Sequence, residues 1–294
     1  ALVLSLMPGM SLTAYADNVT ISNLWIGNSN EVTSTGEISD TGATKGTATV
    51  SVEDGSIVLT LNNFTYSGAG SKPTSVSNNV YAPIYYYGTI PIIVRLVGVN
   101  SITQTGTTGD NNSYGLYSFR SAADVRFEGT GSLTIASGQS ENASSCGIKA
   151  GGDVTFKECT VQATGGSSSY SNGTSAGVWA GGNISVDGAT LTATGGNVSG
   201  EYSKSCGLEA YSSSRSPYVF NIIVKSGIVT ATGKSSALYY RDYDQKKSDL
   251  QLANGSTFTI LKAGDTSGSA SDVELSAVPN QKYIYAEVAA PAAL

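Results

Sequence analysis

Through the middle of the chain, apolar and polar residues alternate in short bursts, each closed by glycine, asparagine or aspartate. Such alternation puts every second side chain on one buried face, which is the pattern of a half-buried strand. The bursts recur as triplets. One triplet runs through Gly147–Ala150, Val154–Phe156 and Thr160–Gly165. The next runs through Gly177–Ala180, Ile184–Val186 and Thr190–Gly195, and a third opens at Gly207-Leu208-Glu209-Ala210 and closes at Ile228–Gly233. The opening glycines lie 30 residues apart twice. Earlier copies open at Gly115-Leu116-Tyr117 and, more degenerately, at Pro83-Ile84-Tyr85. A later copy opens at Ala237-Leu238-Tyr239, and an incomplete one has strands at Val58–Leu61 and Asn63–Tyr66.

The apolar period is 2 throughout, and no copy leaves room for a helix. Three strands per copy, all copies running the same way, predict a coil. Stacked coils give three parallel sheets around one core, because a single copy cannot bury its own apolar face. The predicted fold is therefore all-β: a single-domain right-handed parallel β-helix of about six coils. Inward columns are Ile148, Val178 and Leu208; Ala150, Ala180 and Ala210; Val154, Ile184 and Ile222; Phe156, Val186 and Val224; Val161, Leu191 and Val229; and Ala163, Ala193 and Ala231. Sheet ends need covers, since bare edges recruit other strands. Residues 17–52 read as an N-terminal β cap and residues 250–288 as a C-terminal one, within a domain spanning 17–288. Residues 289–294 read as a tail or linker.

The first residues are apolar and end in Ala14-Tyr15-Ala16, a small-x-small cleavage signature. Residues 1–16 therefore read as part of a signal peptide, and the protein as secreted or on the cell surface. No other stretch is long and apolar enough for a membrane span. The chain has 35 Gly, 7 Pro, no His and only 13% charged residues, with a net charge of -6. No basic cluster points to nucleic acid. The absence of histidine removes the usual nucleophile triads, and no cofactor is expected. The three cysteines, Cys146, Cys159 and Cys206, are expected to be buried free thiols. Cys146 and Cys206 fall two coils apart, roughly 9–10 Å at strand spacing, beyond the reach of a disulfide.

Two polar columns stand out. Asp124, Asp153, Asn183 and Asn221 fall at one turn position and suit an Asx ladder. Glu128, Lys157, Asp187 and Lys225 alternate in sign on an outward face, which suits cross-strand ion pairing. A third column offers binding chemistry: Tyr85, Tyr117, Lys149, Trp179, Glu209 and Tyr239 occupy the outward middle position of successive first strands. Exposed Tyr and Trp faces stack on sugar rings while their polar tips hydrogen-bond. Equally, aromatic neighbours pair across strands for stability alone. The loops Ser137–Ser145, Gly166–Ser175, Gly196–Ser205 and Lys234–Ser236 leave from one corner, and Tyr170 and Tyr202 make them a candidate binding edge. Outward threonines on the third strand, among them Thr134, Thr192 and Thr230, suit a strand without needing a ligand.

The runs Gly147–Thr155 and Gly188–Gly195 resemble exported proteins of gut Firmicutes described as carbohydrate-binding-domain-containing, of the pectin-lyase-like β-helix group. Leu24-Trp25-Ile26-Gly27 and Leu59–Asn63 are similar to their first coil, and Phe258, Ala263-Gly264-Asp265 and Lys282-Tyr283-Ile284 to their closing strands. The resemblance implies the fold and export. The aromatic column and the loop edge point to a polysaccharide or cell-surface glycan as partner, bound without catalysis, and the protein is expected to be a monomer. A polysaccharide lyase or glycoside hydrolase, and a structural or adhesive spacer, are the alternatives.

Overall fold

The computed structural model describes residues 19–76, 79–211, 221–241, 250–253, 255–278 and 281–290. The expected leader, residues 1–16, lies outside them, as do residues 291–294 of the expected tail. Among the described residues strands follow one another with a single short 3₁₀ turn at Leu275–Ala277. They stack as a parallel β-helix. The front sheet carries the first strand of each coil: Ile84–Tyr86, Asn112–Ser118, Ser145–Ala150, Thr174–Ala180, Lys204–Tyr211 and Ser236–Arg241, paired in that order. The second sheet carries Ile92–Val97, Val125–Glu128, Val154–Lys157, Ile184–Asp187, Ile222–Val224 and Leu250–Leu252. The third carries Val99–Gln104, Ser132–Ala136, Thr160–Thr164, Ala189–Thr194 and Gly227–Thr232. Five coils are complete and a sixth is begun.

Register follows the repeat. Ile148 pairs with Val178 and Val178 with Leu208; Phe127, Phe156, Val186 and Val224 form one column. All are essentially inaccessible to solvent, and the Phe127 and Phe156 rings stack with centroids 5.2 Å apart. Gly147, Gly177 and Gly207 sit where the front sheet meets the third. A methyl group on Gly177 would lie 2.5 Å from the Thr194 nitrogen and 2.8 Å from the Gly207 oxygen. The repeating glycine is thus a steric requirement of coil closure, and only incidentally a matter of φ.

Several polar groups of the stack find their partners in the coil above or below. The Asx column forms a ladder: the backbone N–H groups of Asp153, Asn183 and Asn221 donate to Asp124 Oδ1, Asp153 Oδ1 and Asn183 Oδ1 at 2.9, 2.7 and 2.9 Å. Asn100 breaks an otherwise apolar inward column, being in register with Leu133. Its Oδ1 accepts from the Phe64 N–H at 2.8 Å, and its amide donates to the Val97 and Ser132 carbonyls. A column of buried serines, Ser145, Ser175 and Ser205, fixes the loop corner. Ser145 Oγ accepts from the Gly166 N–H, Ser175 Oγ from Gly196 and Ser205 Oγ from Lys234.

Both ends are capped by antiparallel pairing, as bare edges require. At the N-terminal end Leu24–Ile26 pairs with Ile84–Tyr86, and Lys45–Glu53 with Ser56–Gly68. The expected strands Val58–Leu61 and Asn63–Tyr66 are one strand, Ser56–Gly68. Its first part pairs with Ile92–Val97 and its last with Ser101–Gln104. Asn63, at φ +49°, turns the corner between them, a conformation that asparagine tolerates better than most residues. At the C-terminal end Tyr283–Ala289 covers Gly227–Thr232 and is itself covered by Thr257–Gly264. Among the described residues no helix is long and apolar enough to cross a membrane.

Candidate functional site

The front sheet has two faces, and the outer one carries the candidate binding column. The predicted column exists rung by rung: Tyr85 pairs with Tyr117, Tyr117 with Lys149, Lys149 with Trp179, Trp179 with Glu209 and Glu209 with Tyr239. It does not stand exposed along its length. Tyr85 and Tyr117 are buried, and so is Glu209. For Tyr85 the cover comes from the cap, and for Tyr117 from Tyr85 and from Tyr114 of its own strand. Trp25 lies edge-on to Tyr85 at 5.6 Å, Tyr85 edge-on to Tyr117 at 5.2 Å, and Tyr114 stacks on Tyr117 at 5.3 Å. With Val80, Ala82, Cys146, Ala176 and Cys206 they form a second apolar core on the outside of the sheet. The lower half of the stripe is therefore structural.

The upper half opens. Lys149, Trp179 and Tyr239 are half-buried. The Lys149 ammonium lies 4.3 Å from the centre of the Trp179 ring, and the Lys204 ammonium 4.1 Å from that of Tyr239. Lys204 also hydrogen-bonds the Tyr239 hydroxyl. Beside them is a cavity of about 710 Å³ lined by Asn172, Thr174, Tyr202, Ser203, Lys204, Glu209 and Ser235. Tyr202, 65% exposed, stands at its edge. Tyr170 is exposed as well, but is not among the lining residues.

The lining comes from loops held in place by stacking. Backbone bridges join Thr107 to Ser140, Ser140 to Ser168 and Ser168 to Val198, so the loops form a parallel ladder of their own. The Tyr202 N–H donates to the Ser171 carbonyl and the Lys204 N–H to that of Gly173. The expected loop edge thus contains most of the cavity wall. Lys204, Asn172, Thr174, Ser203 and Ser235 were not distinguishable within it, because a polar loop residue carries no sequence mark of the direction it faces.

Glu209 is the unusual group. It reaches the cavity from a buried position, between Trp179 and Tyr239 in register. Burial raises its carboxyl above the ordinary glutamate range; Lys149, Lys204 and hydrogen bonds from Cys206 and Trp179 pull the other way without cancelling it. The Cys206 thiol donates to Glu209 Oε2 at 3.6 Å. Folded Glu209 keeps its proton to higher pH than the unfolded chain does, so stability falls as pH rises through the folded value. Glu209→Gln is expected to raise Tm at neutral pH and to lose that advantage below the ordinary range near 4.5. Calorimetry across pH tests this; an equal Tm difference at both ends contradicts it.

All three cysteines are free and buried. Cys146 and Cys206 flank Ala176 in register. Burial pushes Cys146 up to about 12 and Cys159 to about 11, and raises Cys206 as well, so these thiols stay protonated and unreactive. The charge column pairs only in part, and Lys157 makes no ion pair among the described residues. Arg95, absent from the sequence reading, bridges Glu53 and Glu128 at 2.8 and 2.9 Å, and Lys225 meets Asp187 at 3.4 Å. Among the described residues no three His, Cys, Asp or Glu side chains converge as a metal site would need. No protein-family model, no curated protein and no solved structure matches this chain.

Proposed function

We propose that this protein is an extracellular glycan-binding module that acts without catalysis, and that the saccharide lies in the cavity at the upper half of the front sheet. One observation carries the reading: exposed Tyr202 borders a recess walled by hydroxyl, amide and ammonium groups, with the half-buried Trp179 and Tyr239 beside it. A flat apolar face next to convergent hydrogen-bonding groups suits a ring that is apolar on its C–H side and polar at its rim. A hydrolase needs two carboxyl groups across its cleft, and Glu209 is the one carboxylate lining this cavity. A plain spacer has no use for such a recess. Export rests on the apolar N-terminal run and on the resemblance noted above.

The test is Tyr202→Ala against an oligosaccharide panel. Tyr202 lies largely in solvent, so the fold should tolerate the change. A five- to tenfold loss of affinity is expected, roughly 1–1.5 kcal/mol. Silence of the whole panel towards the unaltered protein, or identical binding by the variant, counts against the reading.

A further inference from the structure

Resting on that reading, we infer that the saccharide bound here carries an anionic group, a carboxylate or a sulfate ester, which Lys204 receives and Lys149 helps to attract. The recess holds a positive charge that no ion pair among the described residues answers. The chain has 16 basic and 22 acidic residues, so acidic partners are not scarce. Four basic side chains find them: Arg95 with Glu53 and Glu128, Arg126 with Glu128, Lys225 with Asp187, Lys282 with Asp265. Other lysines, Lys157 among them, stand unpaired in open solvent, whereas Lys204 stands unpaired in the wall of the cavity. On the outer face of the front sheet, Lys149 and Lys204 make no ion pair among the described residues. Each rests instead near an aromatic ring, Lys149 by Trp179 and Lys204 by Tyr239. That arrangement holds an ammonium in place without neutralising it.

The carboxyl nearest to them does not restore the balance. Glu209 lies in the cavity wall but is only 3% exposed, with Oε2 engaged by the Cys206 thiol. Even fully ionised it would offset only one of the two lysines, and each proton it keeps leaves the recess more positive. In a recess partly shut off from water, an uncompensated charge acts on a ligand far more strongly than on an open surface. A lysine ammonium is a compact point charge with three donors, which suits a carboxylate or sulfate approaching from several directions. The neighbouring hydroxyl and amide groups of Asn172, Thr174, Ser203 and Ser235 remain for the sugar's own hydroxyls.

The experiment compares matched ligands by titration calorimetry: a glucuronic-acid oligosaccharide with its methyl ester, and an O-sulfated oligosaccharide with its unsulfated parent. At low salt at least one acidic member is expected to bind about tenfold or more tightly than its neutral mate, and salt should shrink that ratio. Tighter binding of the uronate alone, or of the sulfate alone, names which anion the site takes. Lys204→Met is expected to collapse the ratio, Lys204→Arg to keep most of it, and Lys157→Met, on an exposed face of the second sheet, to leave it intact. Equal binding of charged and neutral mates overturns the inference while leaving glycan binding standing. No binding of any saccharide overturns both. An acidic peptide bound as tightly as the acidic saccharides retains the anion site and removes the glycan.

Discussion

Phe156→Ala is expected to lower the free energy of unfolding by about 3–5 kcal/mol, the range for removing a buried aromatic ring. Phe156 is fully buried at the centre of the second sheet. Its ring stacks on Phe127 with planes 9° apart, and Val186 follows in the same column. The gap could not close by local sliding, since the coils on either side are pinned by ladders in all three sheets. In a stack whose coils are stable only through their neighbours, the defect would weaken the coil that carries it and both interfaces. Denaturant titration measures the loss. Thr155→Ala, one residue away on the outer face, should stay within about 0.5 kcal/mol of the unaltered protein. If the two substitutions cost the same, the continuous inner column is not what holds the coils together.

The second large effect concerns the C-terminal cap. A chain ending after Leu252 would lose Thr257–Gly264 and Tyr283–Ala289, and Gly227–Thr232 would become a bare edge. Val229 and Ala231, now covered in register by Ala286 and Ile284, would lie beside a row of unpaired backbone donors and acceptors. Such an edge is a template for further strands. The truncated protein is expected to self-associate at concentrations where the full chain does not, as read by size-exclusion chromatography with light scattering. A truncated chain that elutes without association shows that the cap does no more than finish the core. A gentler version, Ile284→Asp, places a charge under the cap and should shift the protein in the same direction.

The fold was legible because two independent periods agree. Alternation along Val154–Phe156 or Leu191–Ala193 reports which side chains are buried, and the thirty-residue repeat reports what lies above them. Together they fix register without any knowledge of the turns, and Ile148, Val178 and Leu208 stack accordingly. The same logic located the outward column from Tyr85 to Tyr239. It could not report what covers that column. Periodicity says that Tyr85 points away from the core; that Trp25, sixty residues earlier, packs against it depends on how the N-terminal cap folds back. Glu209 shows the same gap at the other end: its position was predictable, its burial was not. Inward polar residues were the other silent class. Asn100 and the serines at 145, 175 and 205 look like ordinary interruptions of a strand, yet each closes hydrogen bonds that only the neighbouring coil or loop presents.

The candidate cavity lies within the loop edge that composition had marked, but its walls are particular residues. Stacked loop backbones, bridged at Ser140, Ser168 and Val198, convert a mobile-looking segment into a shaped one. That distinction separates a surface that merely carries serine and tyrosine from one that holds Lys204 over Tyr239.

In each of the three sheets the interstrand bonds point along the long axis, and the two caps close opposite ends of it. A pull applied at those ends would therefore load the ladders in tension, peeling one rung at a time, where a sandwich pulled along its strands would resist by shear. Each released rung of thirty residues would free about 100 Å of chain. A body built this way would yield under load in small, repeated increments, coil by coil.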